Sequence, residues 1–158
     1  MNGQYLSILQ DSLRKKIEIL DEIDGLCRLQ GEVLAASPVD YDRFDRAVDD
    51  KDVCIGQLNK LDEGFELLYE RVREELQGKK EQYAAWIVET QKLINAVMDK
   101  SVSIQAQENR NRMAVERAFY RERQDIGKGK RSMSVAMDYY RNMSNSHVVD
   151  PQYMDQKK

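Results

Sequence analysis

Apolar residues recur every three or four positions along most of this chain. One run reads Phe44, Val48, Ile55, Leu58, Leu61, Phe65, Leu68, Val72 and Leu76, interrupted only by Lys51. That period gathers side chains on one face of an α-helix and cannot gather them on one face of a strand. An earlier run, Leu6, Leu9, Leu13, Ile17, Leu20, Ile23, Cys27, Gln30 and Leu34, predicts a first helix from about Gln4 to Ala36. Gly25 and Gly31 each weaken it by roughly 1 kcal/mol relative to alanine and mark places where it can bend.

Pro38 disfavours helical geometry at Ser37 and suits the first position of a new helix, with Ser37 as its cap and Asp40 in its first turn. The second helix is therefore expected from Pro38 to about Gln77. Lys51, inside its stripe, is expected to lay its stem along the core and keep its ammonium in water. The stretch Gln77 to Gln82 has nothing to bury, and Gly78 can take the left-handed conformation that ends a helix, so a turn is expected there. A third helix follows from about Lys80 to Ile126. It is apolar at Tyr83, Ile87, Leu93, Ile94, Val97, Met98 and Ile104, interrupted by the polar block Gln105 to Arg112, and apolar again at Met113, Val115, Ala118 and Phe119.

These elements predict an all-α fold: three long antiparallel helices forming an elongated coiled-coil-like bundle over residues 1–129, with a flexible or short-helical C-terminal arm over 130–158. At 1.5 Å per residue the helices span roughly 50, 60 and 70 Å, so the end of the third should overhang the Ser37–Pro38 turn by about 10–20 Å. In the arm, Met133, Ala136, Met137, Tyr140 and Met143 fall at helical spacing, which predicts a short amphipathic helix at 132–143. Beyond Ser144 the chain is polar and Pro151 opposes helix, so disorder is expected.

Composition narrows the function. Charged residues make up 34% and aromatics 8%, which suits helices with wet outer faces. The net charge of −3 argues against a nucleic-acid binder overall, yet Arg110 to Arg131 holds eight basic residues against three acidic ones. That +5 segment either suits a helix C-terminus or forms a docking patch for an acidic partner. No secretory leader or membrane-spanning run is seen at the sequence level, so no membrane insertion is expected. Cys27 and Cys54 fall on or beside apolar stripes and are expected as buried free thiols in a reducing cytoplasm.

No catalytic set is recognisable. The sole histidine, His147, lies in the polar tail, so no Glu-x-x-His metal pair exists, and Gly127-Lys128-Gly129-Lys130 lacks the spacing of a phosphate loop. Neither enzyme activity, cofactor nor metal is expected. The polar block Gln105 to Arg112 reads two ways. It is a hydrated stretch with Glu108 and Arg112 paired at i,i+4, or a recognition face of amides and a guanidinium. The arm, with Met133, Met137, Tyr139, Tyr140 and Met143, can grip another helix or fold back on the body.

Three stretches, LDEGFELLYERVREEL (61–76), SVSIQAQENRNR (101–112) and VVDPQYMDQKK (148–158), carry a family resemblance. The chain resembles the FlgN-like export chaperones of the bacterial flagellar type III secretion system, in particular their Gram-positive branch. The resemblance implies a cytoplasmic chaperone that binds the C-terminal helices of hook-associated (hook–filament junction) proteins, prevents their premature assembly and delivers them to the export gate. Carried onto this chain, it implies cargo binding at Glu108, Asn111, Arg112, Val115 and Phe119 of the third helix and at Met133, Met137 and Met143 of the arm. It also implies a gate contact at Tyr139 or Tyr140. The rival reading is a structural coiled-coil protein that self-assembles through the same stripes, which also allow a homodimer. A third reading is a nucleic-acid-binding regulator using Arg110 to Arg131.

Overall fold

The computed structural model describes residues 3–122 and 136–141, and the class is all-α. Four helices run in order: α1 (Gln4–Ala35), α2 (Tyr41–Asp62), α3 (Phe65–Leu76) and α4 (Ala84–Glu122). A fifth, α5, spans 136–141. The expected short helix at 132–143 is described only over those six residues. Its flanks, and the expected end of the third helix at 123–126, lie outside the described residues.

α1 is the central rod. It runs as one helix through Gly25 and Gly31, because burial on two sides outweighs the intrinsic cost of two glycines. Gly31 instead lets α4 approach closely: a Cβ there would meet the Gln107 amide nitrogen at 2.9 Å and the Asn111 amide oxygen at 3.0 Å. The buried row of α1 contains the sequence stripe except Ile17, which is half-buried where Lys16 is buried, and adds Ile19 and Val33. Lys16 tolerates this by donating to Asp62 Oδ1 at 3.1 Å.

α2 and α4 both pack mainly on α1. α2 runs antiparallel to it, since Gln30 meets Lys51 and Lys16 meets Asp62. α4 runs parallel to it. Gln10 bonds Thr90 at 2.8 Å, Lys100 pairs with Asp21, and Asn111 bonds the Cys27 carbonyl at 2.8 Å, a constant offset of about eighty residues.

The second rod differs from expectation. It starts at Tyr41, not Pro38, and its cap is Asp40, whose Oδ1 accepts from the Arg43 N–H at 3.1 Å; Ser37 lies in the connection. An aspartate placed one residue before the helix is as good a cap as serine and adds charge against the helix dipole. The rod then breaks at Glu63–Gly64, where Gly64 adopts φ 74° and precedes α3. The apolar register continues across the break through Leu61, Phe65 and Leu68, so periodicity alone hides it. Gly78 ends α3 at φ 76° as expected, but the following turn is longer and α4 begins at Ala84.

The core has two main parts. A large cluster joins the first two-thirds of α1 with the end of α2, α3 and the first half of α4, including Leu9, Ile23, Leu58, Val72 and Ile104. A second joins Val33 and Leu34 of α1, Phe44 of α2, Val115 of α4 and Ala136 and Tyr140 of α5. The end of α4 does not stand free at 118–119 as the overhang required: Ala118 is buried against Tyr41, and Phe119 packs with it beside Val39. No described helix is long and apolar enough to cross a membrane.

Candidate functional site

Between the two apolar clusters lies a layer of buried polar side chains. It arises because the inward face of α4 continues at helical spacing through the polar block: Ile94, Val97, Ser101, Ile104, Glu108, Asn111, Val115 and Ala118 are all buried. The interruption seen in the sequence is one of polarity and not of register. Opposite it, α1 contributes Cys27 and Gln30, and α2 contributes Lys51.

Lys51 is wholly buried, overturning the expected wet ammonium. Its Nζ donates to Glu108 Oε1 at 2.7 Å and to Gln30 Oε1 at 2.9 Å, and lies 4.7 Å from the Tyr139 ring centroid. The Cys27 thiol donates to the same Glu108 oxygen at 3.0 Å. Asn111 is held from both sides, donating to the Cys27 carbonyl and accepting from Gln107 Nε2 at 2.9 Å. Charge pairing and hydrogen bonding offset the cost of taking a cation and a carboxylate out of water. The Cys27 thiol is held well above its ordinary pKa by burial, with Lys51 opposing and Glu108 adding to the shift. Both cysteines are free and buried.

α5 covers this layer. It fills the space over α1 between the start of α2 and the end of α4, with Ala136 and Tyr140 buried and Met137 and Tyr139 half-buried. Its two tyrosine rings contact each other edge-on with centroids 4.8 Å apart, and both contact Phe44, at 6.0 Å from Tyr140 and 6.5 Å from Tyr139. The seat is apolar in character but its polar matching is incomplete. Gln30 Nε2, Glu108 Oε2, Tyr139 OH and Tyr140 OH are buried without hydrogen-bond partners. The Tyr140 hydroxyl lies beside the Asn111 amide without closing a bond to it. Burial, with the Glu108 carboxylate next in order, pushes both phenols far above their usual range.

Each such orphaned hydroxyl costs about 1–3 kcal/mol. Tyr139→Phe, which keeps the ring over Lys51, is therefore expected to raise stability by about 1 kcal/mol. A rise in the urea midpoint at unchanged slope would show it, and a fall would mean that the hydroxyl has a partner.

The sequence-named residues fall into separate environments. Glu108, Asn111 and Val115 are gathered in the buried layer and the cluster beside it, with Met137, Tyr139 and Tyr140 above them. Arg112 is exposed, and Glu108 turns inward to Lys51, so the Glu108–Arg112 pair of the first of the two readings is replaced by a link between α4 and α2. Phe119 sits apart in the small cluster with Tyr41. Met133, Met143 and His147 lie outside the described residues. Sequence reasoning missed Gln30 and Lys51 as members of the site. The available signal was one cation in the α2 stripe and one carboxylate in the α4 stripe, the only ionisable side chains of opposite charge on those two inward rows.

No protein-family model, curated protein or solved structure matches this chain.

Two further concavities flank the bundle. One, of about 640 Å³, lies between the second halves of α1 and α4 and is rimmed by Arg28, Arg110, Arg117 and Arg121 with Glu32. The other, of about 760 Å³, opens between α3 and α4, with Leu9 at its base and Tyr69, Val72, Leu76 and Trp86 on its walls. Among the described residues no group of three or more His, Cys, Asp or Glu side chains could hold a metal ion.

Proposed function

We propose that this protein is a helix-binding chaperone, and specifically a FlgN-like flagellar export chaperone that holds the C-terminal helices of hook-associated proteins in the cytoplasm. The observation that carries the reading is the seating of α5. A short amphipathic helix of the chain's own C-terminal part lies in a groove made by α1, α2 and α4. A groove that accepts one amphipathic helix has the shape and apolar lining to accept another. The sequence resemblance supplies the identity of the partner, and Glu108, Asn111, Val115 and Met137 line or cover the same groove. A contact of Tyr139 or Tyr140 with the export gate would require α5 to leave its seat, since both rings face the body.

The test is co-purification of the full chain with hook-associated proteins carrying or lacking their C-terminal helices. Capture that depends on those helices is expected, and equal capture or none would remove the reading.

A second reading, self-assembly as a coiled coil, draws on one observation. Val88, Met98, Val102, Met113 and Tyr120 are exposed along one face of α4. Such a row is a seam for another helix. Sedimentation across concentration separates the two: a chaperone stays a monomer or small oligomer, and a scaffold grows.

A further inference from the structure

The groove under α5 has a polar demand that α5 does not meet. Glu108 Oε2 is an acceptor without a donor, and Gln30 Nε2 is a donor without an acceptor. Both residues are more than nine-tenths buried, and both are tied through their other terminal atom to the same ammonium, Lys51 Nζ. Both side chains thus meet at Lys51 Nζ, which lies directly under the Tyr139 ring of the seated helix. The seated helix offers them nothing useful: Ala136 is apolar, and the hydroxyls of Tyr139 and Tyr140 are themselves unpartnered. All but one of the unpartnered buried side-chain atoms among the described residues belong to this one junction, the remaining one being on Asp45.

We propose that this groove selects a partner helix carrying a carboxamide side chain, asparagine or glutamine, on its inward face, and that such a helix takes the place of α5. A primary amide supplies both an N–H donor for Glu108 Oε2 and a carbonyl acceptor for Gln30 Nε2 from one neutral side chain. Serine or threonine supplies both functions from one atom and cannot span two sites. A lysine or arginine donates only, and would bring a second cation beside Lys51. A buried amide on an otherwise apolar helix face also fixes register, because any slipped alignment leaves it unpaired. This inference rests on the helix-binding reading and adds the chemistry that the bound helix must carry. α5 then acts as a stand-in. It keeps Phe44, Val33 and Val115 covered while the polar floor waits for its match.

The experiment uses the full chain and labelled synthetic amphipathic helical peptides of one host sequence. Glutamine is walked through each inward position, and an all-leucine peptide serves as reference. Binding is read by fluorescence anisotropy and amide exchange by mass spectrometry. One glutamine position is expected to bind about tenfold more tightly than the leucine reference, the effect of one or two good hydrogen bonds to buried groups. Its binding should raise exchange at 136–141 and lower it on α1 around 27–34 and on α2 around 44–51. In Lys51→Met/Glu108→Leu, which removes the charge pair and the acceptor at 108 together, the preference should shrink to about twofold or less. Tyr140→Ala, which loosens the seated helix, should strengthen glutamine-peptide binding several-fold by raising the open fraction.

Binding without any glutamine preference, or with 136–141 still protected, overturns the inference while leaving a helix-binding protein. Failure of every peptide to bind to either the full chain or Tyr140→Ala overturns both.

Discussion

Replacing Lys51 by methionine is expected to destabilise the fold by about 3–5 kcal/mol, the usual result of removing one partner from a buried ion pair. Methionine fits the space of the lysine stem, so the loss comes from what the ammonium holds and not from packing. Without it the Glu108 carboxylate stays buried with only the Cys27 thiol donating to it, and Gln30 Oε1 loses its donor as well. For a chain of this size the melting temperature should fall by roughly 10–15 °C.

The double variant Lys51→Met/Glu108→Leu gives the opposite sign of information. Removing both charges eliminates two desolvation costs at once, so most of the lost stability should return. A double-mutant cycle with a coupling below about 1 kcal/mol would show that the pair is not a buried unit. If the cycle closes as expected, the charges contribute little net stability. Their place in the core is then better explained by what they recognise, the role given to Glu108 and Gln30 above.

Much of the helical frame could be read from spacing, and the exceptions have physical causes. The α1 stripe was legible because nearly every inward position is apolar, and its substitution of Ile17 for Lys16 arises because a lysine with an aspartate partner can occupy an inward position. The break at Gly64 was hidden because Leu61, Phe65 and Leu68 keep the register across it, and only the run Asp62-Glu63-Gly64 marks it locally. The site was half legible. Glu108 and Asn111 were singled out for their polarity in a helix, but their direction was misread as outward, since polarity suggests water unless a partner is known. That partner, Lys51, lies 57 residues away in sequence. Pairing at that range is a property of the fold. Tyr139 and Tyr140 were legible as an amphipathic pair, while their seat depends on Phe44, Val33 and Val115 converging from three different helices.

Stability is expected to fall steeply in alkali, with onset near pH 9, and the first part of the structure to yield should be α5. Burial raises the Cys27 thiol well above its ordinary value of 9.0 and the Tyr139 and Tyr140 phenols above 10.0; it pushes Cys54 up to about 12, where a hydrogen bond to Glu22 adds to the shift. Each is an acid whose neutral form the fold prefers. The folded chain therefore keeps these protons after the unfolded chain has released them. Stability from these groups is intact below pH 9, declines as the thiols ionise in the unfolded chain, and declines faster above pH 10 when the phenols join them. Each proton so retained by a buried group adds about 1.4 kcal/mol per pH unit to the slope.

The two phenols need not wait for global unfolding, because both are carried on α5. Lifting that one helix hydrates them, so amide exchange at 136–141 should accelerate above pH 10 before exchange in the α1 core does, once intrinsic base catalysis is corrected for. Urea midpoints between pH 8 and 11 separate the contributions. Tyr139→Phe/Tyr140→Phe should lose the added steepness above pH 10 and keep the thiol-dependent decline above pH 9. A midpoint constant to pH 11 would mean that these groups reach water in the folded state, and the covered junction described above would then not exist in solution.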